Sequence, residues 1–142
     1  MVKTTRVVLA EDNEIVRTGI RRLLNVAQDI EVVGEARDGV EAIRLVEELS
    51  PDILLLDVEM PRLNGIEVAH QVRQMDSPTQ VLVLSAYDDL EYIQAMLDNG
   101  VAGYLIKDEA PYRIIQAILR IAQGQTGWIS PQVEAKIQKY KK

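Results

Sequence analysis

Five short runs of apolar residues alternate along the chain with longer segments in which apolar residues recur every three or four positions. Most of the runs lack polar alternation, which is typical of parallel strands covered on both faces. The predicted strands are RVVLA (6–10), EVVGEA (31–36), DILLLD (52–57), QVLVLS (80–85) and AGYLI (102–106). The predicted helices lie near residues 14–25, 38–49, 64–75, 88–99 and 110–123. This alternation predicts an α/β fold with a doubly wound, five-stranded parallel sheet under helices on both faces.

Several residues at the ends of these segments have the side chains that helix ends favour. Asp38, Asn64 and Asp88 stand where a side chain can cap the first turn of a helix. Gly100 and Gly124 stand where helices are expected to stop. These positions support the predicted helix boundaries.

The C-terminal segment differs from the rest of the chain. It begins with the glycine-rich stretch GQTG, and Ser130-Pro131 then opens a short helix that is rich in lysine. We therefore interpret residues 1–127 as one domain and residues 128–142 as a linker helix.

Composition narrows the class of protein. With 142 residues, 47% of them hydrophobic and 27% charged, the chain predicts one globular domain with its own core. There are no cysteines, which excludes disulfides, thiolate metal sites and thiol catalysis. No apolar run approaches the roughly 20 residues of a membrane span, so a cytoplasmic protein is expected. The net charge of −6 argues against a nucleic-acid surface on this domain.

Acidic residues occur where two predicted strands end. Glu11 and Asp12 follow the first strand, and Asp57 ends the third. In the strand order 2-1-3-4-5, one common doubly wound arrangement, these strands are neighbours and their carboxyl ends line the ligand site. Three adjacent carboxylates would repel one another unless a cation joins them. Mg²⁺ is the hard cation that best fits such oxygen ligands.

The other strand ends carry groups suited to phosphoryl chemistry on Asp57. An aspartate can act as a nucleophile and form an aspartyl phosphate. Ser85 ends the fourth strand and Lys107 follows the fifth, so a hydroxyl and an ammonium could bind the phosphoryl oxygens. Each residue alone has an ordinary explanation as a capping, loop or surface residue. Their coincidence at four strand ends favours a phosphoacceptor site.

Four motifs resemble the receiver domain of two-component response regulators, a flavodoxin-like fold. They are VVLAEDN, LLLDVEMPRLNG, VLVLSAY and GYLIKD, and the resemblance covers about residues 6–123. It implies that a sensor histidine kinase phosphorylates Asp57, with Mg²⁺ held by Asp12, Asp57 and the backbone carbonyl of Glu59. Glu11 would act mainly through a metal-bound water.

The same resemblance implies further roles. Ser85 and Tyr104 match the switch pair of the family, and Lys107 matches its phosphoryl-binding lysine. Glu59 and Tyr87 would flank the path of an attacking water and tune dephosphorylation. The protein would catalyse only its own phosphorylation and dephosphorylation and would not be an enzyme in the usual sense.

Other stretches, including VRTGIRRLL, VVGEARDGVEAI and GWISPQV, are similar to the NarL/FixJ or LuxR-type branch. In that branch a linker helix leads to a C-terminal helix-turn-helix. No recognition-helix pattern fits within 128–142, so DNA would be bound only through a domain outside this chain. A fragment of a transcription factor is therefore expected, with a stand-alone receiver as the alternative.

Two other functions are compatible with parts of the pattern. A haloacid-dehalogenase-like phosphatase would also use a strand-end aspartate as its nucleophile, with Glu59 as the general acid. However, such enzymes need a later acidic pair, and none follows Lys107 on another strand end. A flavin-binding module is disfavoured because the acidic first loop would repel an FMN phosphate.

The helix near 110–123 has more apolar positions than a sheet-covering helix needs. Its apolar residues spread over about 160°, whereas a stripe of roughly 100° suffices. Ile114, Ile118 and Leu119 are therefore predicted to lie in a dimer face, together with the similarly broad helix near 14–25. The alternatives are pairing through the 88–99 helix and fifth strand, or burial of the excess within one chain.

Overall fold

The computed structural model describes residues 4–58, 64–86, 89–107 and 111–140. Its strands are β1 (Thr5–Ala10), β2 (Ile30–Ala36), β3 (Ile53–Asp57), β4 (Gln80–Ser85), β5 (Gly103–Ile106) and β6 (Trp128–Ile129). Its helices are α1 (Glu14–Val26), α2 (Gly39–Leu49), α3 (Gly65–Gln74), α4 (Leu90–Asp98), α5 (Tyr112–Ala122) and α6 (Pro131–Tyr140). None of the described helices is long and apolar enough to cross a lipid bilayer.

The strands form one parallel sheet in the order β2-β1-β3-β4-β5-β6. The first five strands confirm the predicted order. The prediction of a five-stranded sheet was incomplete, because β6 adds a sixth strand beside β5. This strand has two residues, too few for a recognisable hydrophobic period, and its pairing depends on the backbone of β5.

Helices cover both faces of the sheet, as the alternating pattern predicted. One apolar layer contains Leu9, Leu55 and Leu105 of the sheet and is covered by α1 and α5. The opposite layer contains Leu54 and Val83 and is covered by α2, α3, α4 and α6. The side chains of successive strand residues enter opposite layers, so the central strands are apolar at nearly every position.

Side-chain caps define several helix starts. The carboxylate of Asp38 accepts the backbone N–H of Glu41, and Asn64 caps α3 in the same way, as predicted. The fourth helix is capped by Asp89, whose carboxylate accepts two backbone N–H groups of the first turn, and the predicted cap Asp88 lies outside the described residues. Gly100 and Gly124 follow α4 and α5 with φ of 80° and 100°, a left-handed conformation that glycine adopts without steric cost.

The C-terminal segment packs onto the edge of the sheet. The backbone N–H of Trp128 donates to the carbonyl of Ala102 at 2.9 Å, and that of Ser130 donates to the carbonyl of Tyr104 at 3.2 Å. Val133 of α6 is buried in the layer that α4 covers. The sheet and its apolar layer therefore include residues of the C-terminal segment.

Candidate functional site

The main site residues predicted from the sequence lie at one edge of the sheet, where four neighbouring strands end. Glu11 and Asp12 follow β1, Asp57 is the last residue of β3, Ser85 is the last residue of β4 and Lys107 follows β5. These strands are consecutive in the sheet, so their carboxyl ends form a continuous row. Ligands of doubly wound sheets bind at this edge, beside the point where the strand order reverses.

Three carboxyl groups meet between β1 and β3, as the sequence predicted. One oxygen from each of Glu11, Asp12 and Asp57 lies within 4.8 Å of the other two. Glu11 is 1% exposed and Asp57 is 3% exposed, whereas Asp12 lies open to solvent. Carboxylate oxygens at this spacing, with one side open to water, fit a cation such as Mg²⁺ that keeps part of its hydration shell.

The crowding of carboxyl groups in the cluster changes the pKa of Glu11. The pKa of Glu11 is raised from 4.5 to about 8, chiefly by burial and then by its hydrogen bonds to Asp57 and Asp12 and the charge of Asp57. The backbone N–H of Asn13 donates to Oε2 of Glu11 at 3.2 Å and opposes this rise. The fully ionised cluster is therefore costly in the protein alone, and a divalent cation would stabilise it.

Lys107 places a positive charge against the two buried carboxyl groups. Its Nζ lies 2.8 Å from Oδ2 of Asp57 and 3.4 Å from Oε1 of Glu11. Burial lowers the pKa of Lys107, but the hydrogen bond to Asp57 and the charges of Asp57 and Glu11 raise it by more, so the net shift is upward. The ammonium stays charged at neutral pH and is close enough to bind a group attached to Asp57.

Ser85 and Tyr104 are both completely buried. In the β4–β5 pairing, Ser85 is opposite Ile106 and Tyr104 is opposite Val83. Parallel partners share a face of the sheet, so the hydroxyl and the ring lie on the same face, two positions apart along the strands. The ring of Tyr104 belongs to the apolar layer that includes Val133 of α6.

Some predicted site residues cannot be placed. Glu59, with its backbone carbonyl, and Tyr87 lie outside the described residues. Their predicted roles in metal binding and dephosphorylation therefore remain predictions.

Two of the three residues predicted for the dimer face on α5 are buried within the chain. Ile118 is completely buried and Ile114 is 8% exposed, because both pack against the sheet. Leu119 is half-buried and is the only one of the three with substantial exposed surface. Counting apolar positions around a helix overestimated the free surface of α5, because its apolar side packs on the sheet beside α1.

Exposed apolar surface occurs instead on α1. Ile15 is 84% exposed and Val16 is 38% exposed, at the start of the helix. A groove of about 520 Å³ runs beside Val16 between α1 and α5, and its apolar lining includes Ile20 and Leu23. This groove also reaches Lys107.

Two residues that sequence reasoning did not select connect to the acidic cluster. The guanidinium of Arg17 donates to the backbone carbonyl of Glu11 and forms an ion pair with Glu35 of β2. Arg17 and Glu35 are 18 positions apart, so no helical or strand period relates them, and only the folded chain brings them together.

The chain is similar in sequence to a known domain family and to proteins of several bacteria. The model of the response regulator receiver domain matches residues 7–119. The transcriptional regulatory protein DegU of Brevibacillus brevis is 37% identical over 90% of this chain and 54% of its own length. The transcriptional regulatory protein NarL of Mycobacterium tuberculosis is 40% identical over 84% of this chain and 56% of its own length. The chain thus spans about half the length of these curated relatives.

A solved structure agrees in fold over almost the whole chain. The two-component response regulator of the LuxR family from Aurantimonas sp. SI85-9A1 matches with a TM-score of 0.93 and 33% identity. The match covers 98% of this chain and 99% of that one, so it includes the C-terminal segment.

Proposed function

Because the chain belongs to the response regulator receiver domain family, as its motifs predicted, we propose that it is a phosphorylation switch in which Asp57 accepts a phosphoryl group from a sensor histidine kinase. The observation that carries this proposal is the setting of Asp57. Its carboxylate is buried, lies 2.8 Å from the ammonium of Lys107, and shares the acidic cluster with Glu11 and Asp12.

The chemistry is a transfer between two nucleophiles. A carboxylate oxygen of Asp57 attacks the phosphorus of a phosphohistidine, the P–N bond breaks, and the departing imidazole nitrogen takes a proton from solvent. The ammonium of Lys107 binds a phosphoryl oxygen, and the hydroxyl of Ser85 donates a hydrogen bond to another. In a separate step a water attacks the phosphorus of the aspartyl phosphate, the P–O bond to Asp57 breaks, and inorganic phosphate leaves, so self-catalysed dephosphorylation resets the switch.

Glu11, Asp12 and Asp57 are the residues that would hold Mg²⁺, together with the backbone carbonyl of Glu59 that the family resemblance implies. When bound, the cation would neutralise charge on the transferring phosphoryl group. Three hard oxygen donors, two of them buried and costly to ionise together, support this assignment.

The conformational response would pass along β5. A phosphoryl group on Asp57 attracts Ser85 and Lys107, and these residues border the strand that carries Tyr104. The backbone carbonyl of Tyr104 accepts the N–H of Ser130, and its ring shares an apolar layer with α6. We infer that residues 128–142 act as a linker segment whose position follows the state of Asp57.

The names of the relatives indicate the output. DegU and NarL are transcriptional regulatory proteins about twice as long as the matched region. We therefore propose that DNA is bound through a C-terminal domain of a longer protein, and that phosphorylation controls this domain. Exposed Ile15 and Val16, beside the groove between α1 and α5, support pairing with a second copy through α1 when Asp57 is phosphorylated.

The proposal is tested by phosphorylation with a small donor. Incubation with Mg²⁺ and acetyl phosphate, followed by peptide mass spectrometry, should locate one phosphoryl group per chain on Asp57. Asp57→Asn should abolish the modification, because the amide nitrogen is not a competent nucleophile.

Two controls make the result decisive. Asp12→Asn should still be modified on Asp57, but more slowly, because it removes one acid of the cluster and keeps the acceptor. Modification at another residue would overturn the assignment. Continuous hydrolysis of p-nitrophenyl phosphate would instead support the phosphatase alternative.

A further inference from the structure

An ion-pair cluster between α1 and β2 reaches the loop that carries Glu11 and Asp12. Nη1 of Arg17 donates to the backbone carbonyl of Glu11 at 2.9 Å, and Nε donates to Oε1 of Glu35 at 3.2 Å. Nη1 of Arg21 donates to the other carboxylate oxygen of Glu35 at 3.0 Å. The side chain of Arg17 is only 12% exposed, a burial that arginine tolerates when its charge is paired.

An irregularity in the sheet aims Glu35 at α1. The β1–β2 pairing matches Val7 with Val32 but Val8 with Gly34, so β2 has an extra residue there. After this shift Glu35 is opposite Leu9, whose side chain lies in the layer covered by α1 and α5.

Regular pairing would produce a different contact. Glu35 would then be opposite Ala10, whose side chain lies in the other layer. A bulge of this kind reorients the side chains that follow it, and here it directs the carboxylate of Glu35 toward Arg17.

The loop after β1 has a reason to need an anchor. When they are all ionised, as the ligands of a divalent cation must be, Glu11, Asp12 and Asp57 repel one another, and the repulsion favours movement of the loop away from β3. The backbone of Glu11 is held on one side by its N–H bond to the carbonyl of Ala36. Arg17 holds the carbonyl of the same residue, and Glu35 fixes the direction of the guanidinium.

We propose that Arg17, oriented by Glu35, is a positioning residue that places Glu11 and Asp12 for a divalent cation before the cation binds. This inference rests on the proposed function, because it assigns Arg17 to the metal site of the phosphoacceptor. Arg17 touches the backbone of Glu11 and does not itself ligate the cation.

Two effects of removing Arg17 have opposite signs, so the experiment can separate them. Loss of a positive charge beside an acidic cluster would by itself strengthen the binding of Mg²⁺. Loss of the anchor would weaken it, because the ligands would no longer be preorganised. The direction of the change in affinity therefore identifies the role of Arg17.

Mg²⁺ affinity is measured by following the backbone amide signals of Glu11, Asp12 and Asn13 by NMR during titration with MgCl₂. Arg17→Ala should weaken binding by about tenfold, the lower end of what removing a group that orients metal ligands costs. Arg21→Ala is the matched control, since it removes an ion pair of similar length to the same carboxylate but no contact with Glu11. The Mg²⁺ affinity of Arg21→Ala should stay equal to that of the parent or increase slightly.

Phosphorylation kinetics give a second measurement. For Arg17→Ala the Mg²⁺ concentration at half-maximal phosphorylation by acetyl phosphate should rise by the same factor, while the rate at saturating Mg²⁺ stays near the parent value. Arg17→Lys preserves the charge and should show a smaller weakening in the same direction. This variant also provides the test if Arg17→Ala does not fold.

Equal or increased Mg²⁺ affinity in both Arg17 variants would overturn the inference, as would equal weakening by Arg21→Ala. Failure of the parent chain to bind Mg²⁺ or to be modified on Asp57 would overturn the proposed function itself. The two failures are therefore distinguishable.

Discussion

Asp57 and Ile118 are both almost completely shielded from water, one at the carboxyl edge of the sheet and the other between the sheet and α5. Burial of an aliphatic side chain such as Ile118 stabilises the fold by about 1.5–3 kcal/mol. Burial of acids at the carboxyl edge instead disfavours their ionised forms. Together with the neighbouring Asp57 and Asp12, it raises the pKa of Glu11 to about 8. The comparison indicates that the apolar layers maintain a site whose own charges oppose folding until a cation is bound.

The largest expected effect comes from introducing a charge into the apolar layer. Ile118→Asp should cost at least about 4 kcal/mol of unfolding free energy, because an unpaired carboxylate cannot remain ionised there. Circular dichroism should show loss of the cooperative melt. Leu119→Asp, at a half-buried neighbour, is the control and should stay folded. Equal stability of the two variants would contradict the burial of Ile118.

Truncation of Tyr104 tests whether this buried aromatic residue couples the carboxyl edge of the sheet to the apolar layer. Tyr104→Ala should lower the unfolding free energy by about 3 kcal/mol, because it leaves a cavity in the layer shared with α6. Below its melting temperature, the variant should still be phosphorylated on Asp57 but should lose phosphorylation-dependent dimerisation. Tyr104→Phe fills the same space and should retain both properties. Equal loss of phosphorylation and dimerisation in Tyr104→Ala would argue against a switch role.

Neutralising a buried acid should stabilise the protein, in contrast to both substitutions above. The folded pKa of Glu11 is about 8 against 4.5 for the ordinary group, so the folded state retains a proton that the unfolded chain releases between these values. Metal-free stability should therefore fall as pH rises from about 4.5 through 8. Glu11→Gln should reduce this fall and be more stable than the parent at pH 9 by a few kcal/mol, because each unit of pKa shift corresponds to about 1.4 kcal/mol.

Urea unfolding in EDTA at pH 5, 7 and 9 measures the difference in unfolding free energy between the parent and Glu11→Gln. Saturating Mg²⁺ should reduce the advantage of Glu11→Gln, since the cation stabilises the ionised cluster of the parent. A parent stability that is constant over this pH range would contradict the role assigned to Glu11.

The smallest effect on stability is expected at the exposed end of α1. Ile15→Lys should change the unfolding free energy by no more than about 0.5 kcal/mol, because the side chain is 84% exposed. If α1 forms the dimer face, sedimentation with acetyl phosphate should show at least a tenfold weaker dimer than the parent, equivalent to about 1.4 kcal/mol. Val40→Lys, at an exposed apolar residue of α2, is the control. An unchanged dimer of Ile15→Lys would place the interface elsewhere.

Much of the fold was predictable because it depends on local patterns. Uninterrupted apolar runs identified the first five strands, and Asp38 and Asn64 identified helix starts through short-range capping bonds. The convergence of Glu11, Asp12 and Asp57 was predicted from the strand order 2-1-3-4-5, a common doubly wound arrangement that the structure confirms for the first five strands. Asp88 was assigned the cap that Asp89 forms, since adjacent aspartates are equivalent in such a pattern.

Other properties depended on contacts between residues far apart in the sequence. The amphipathic pattern of α5 could not show that Ile118 is buried while Ile15 of α1 is exposed, because both occur in broad apolar sets. Likewise, the two residues of β6 form a strand only because the edge of β5 is available to them.

Local patterns along the chain were enough to establish the succession of strands and helices, the family, and which chemical groups stand at the ends of the strands. These follow from periodicity, capping and strand-end position, which are properties of neighbouring residues. The exposure of individual apolar side chains and the contact of Arg17 with Glu11 depend instead on how the folded chain packs. The extra residue in β2 turns Glu35 toward α1 through its pairing with β1, and such pairing has no local signature.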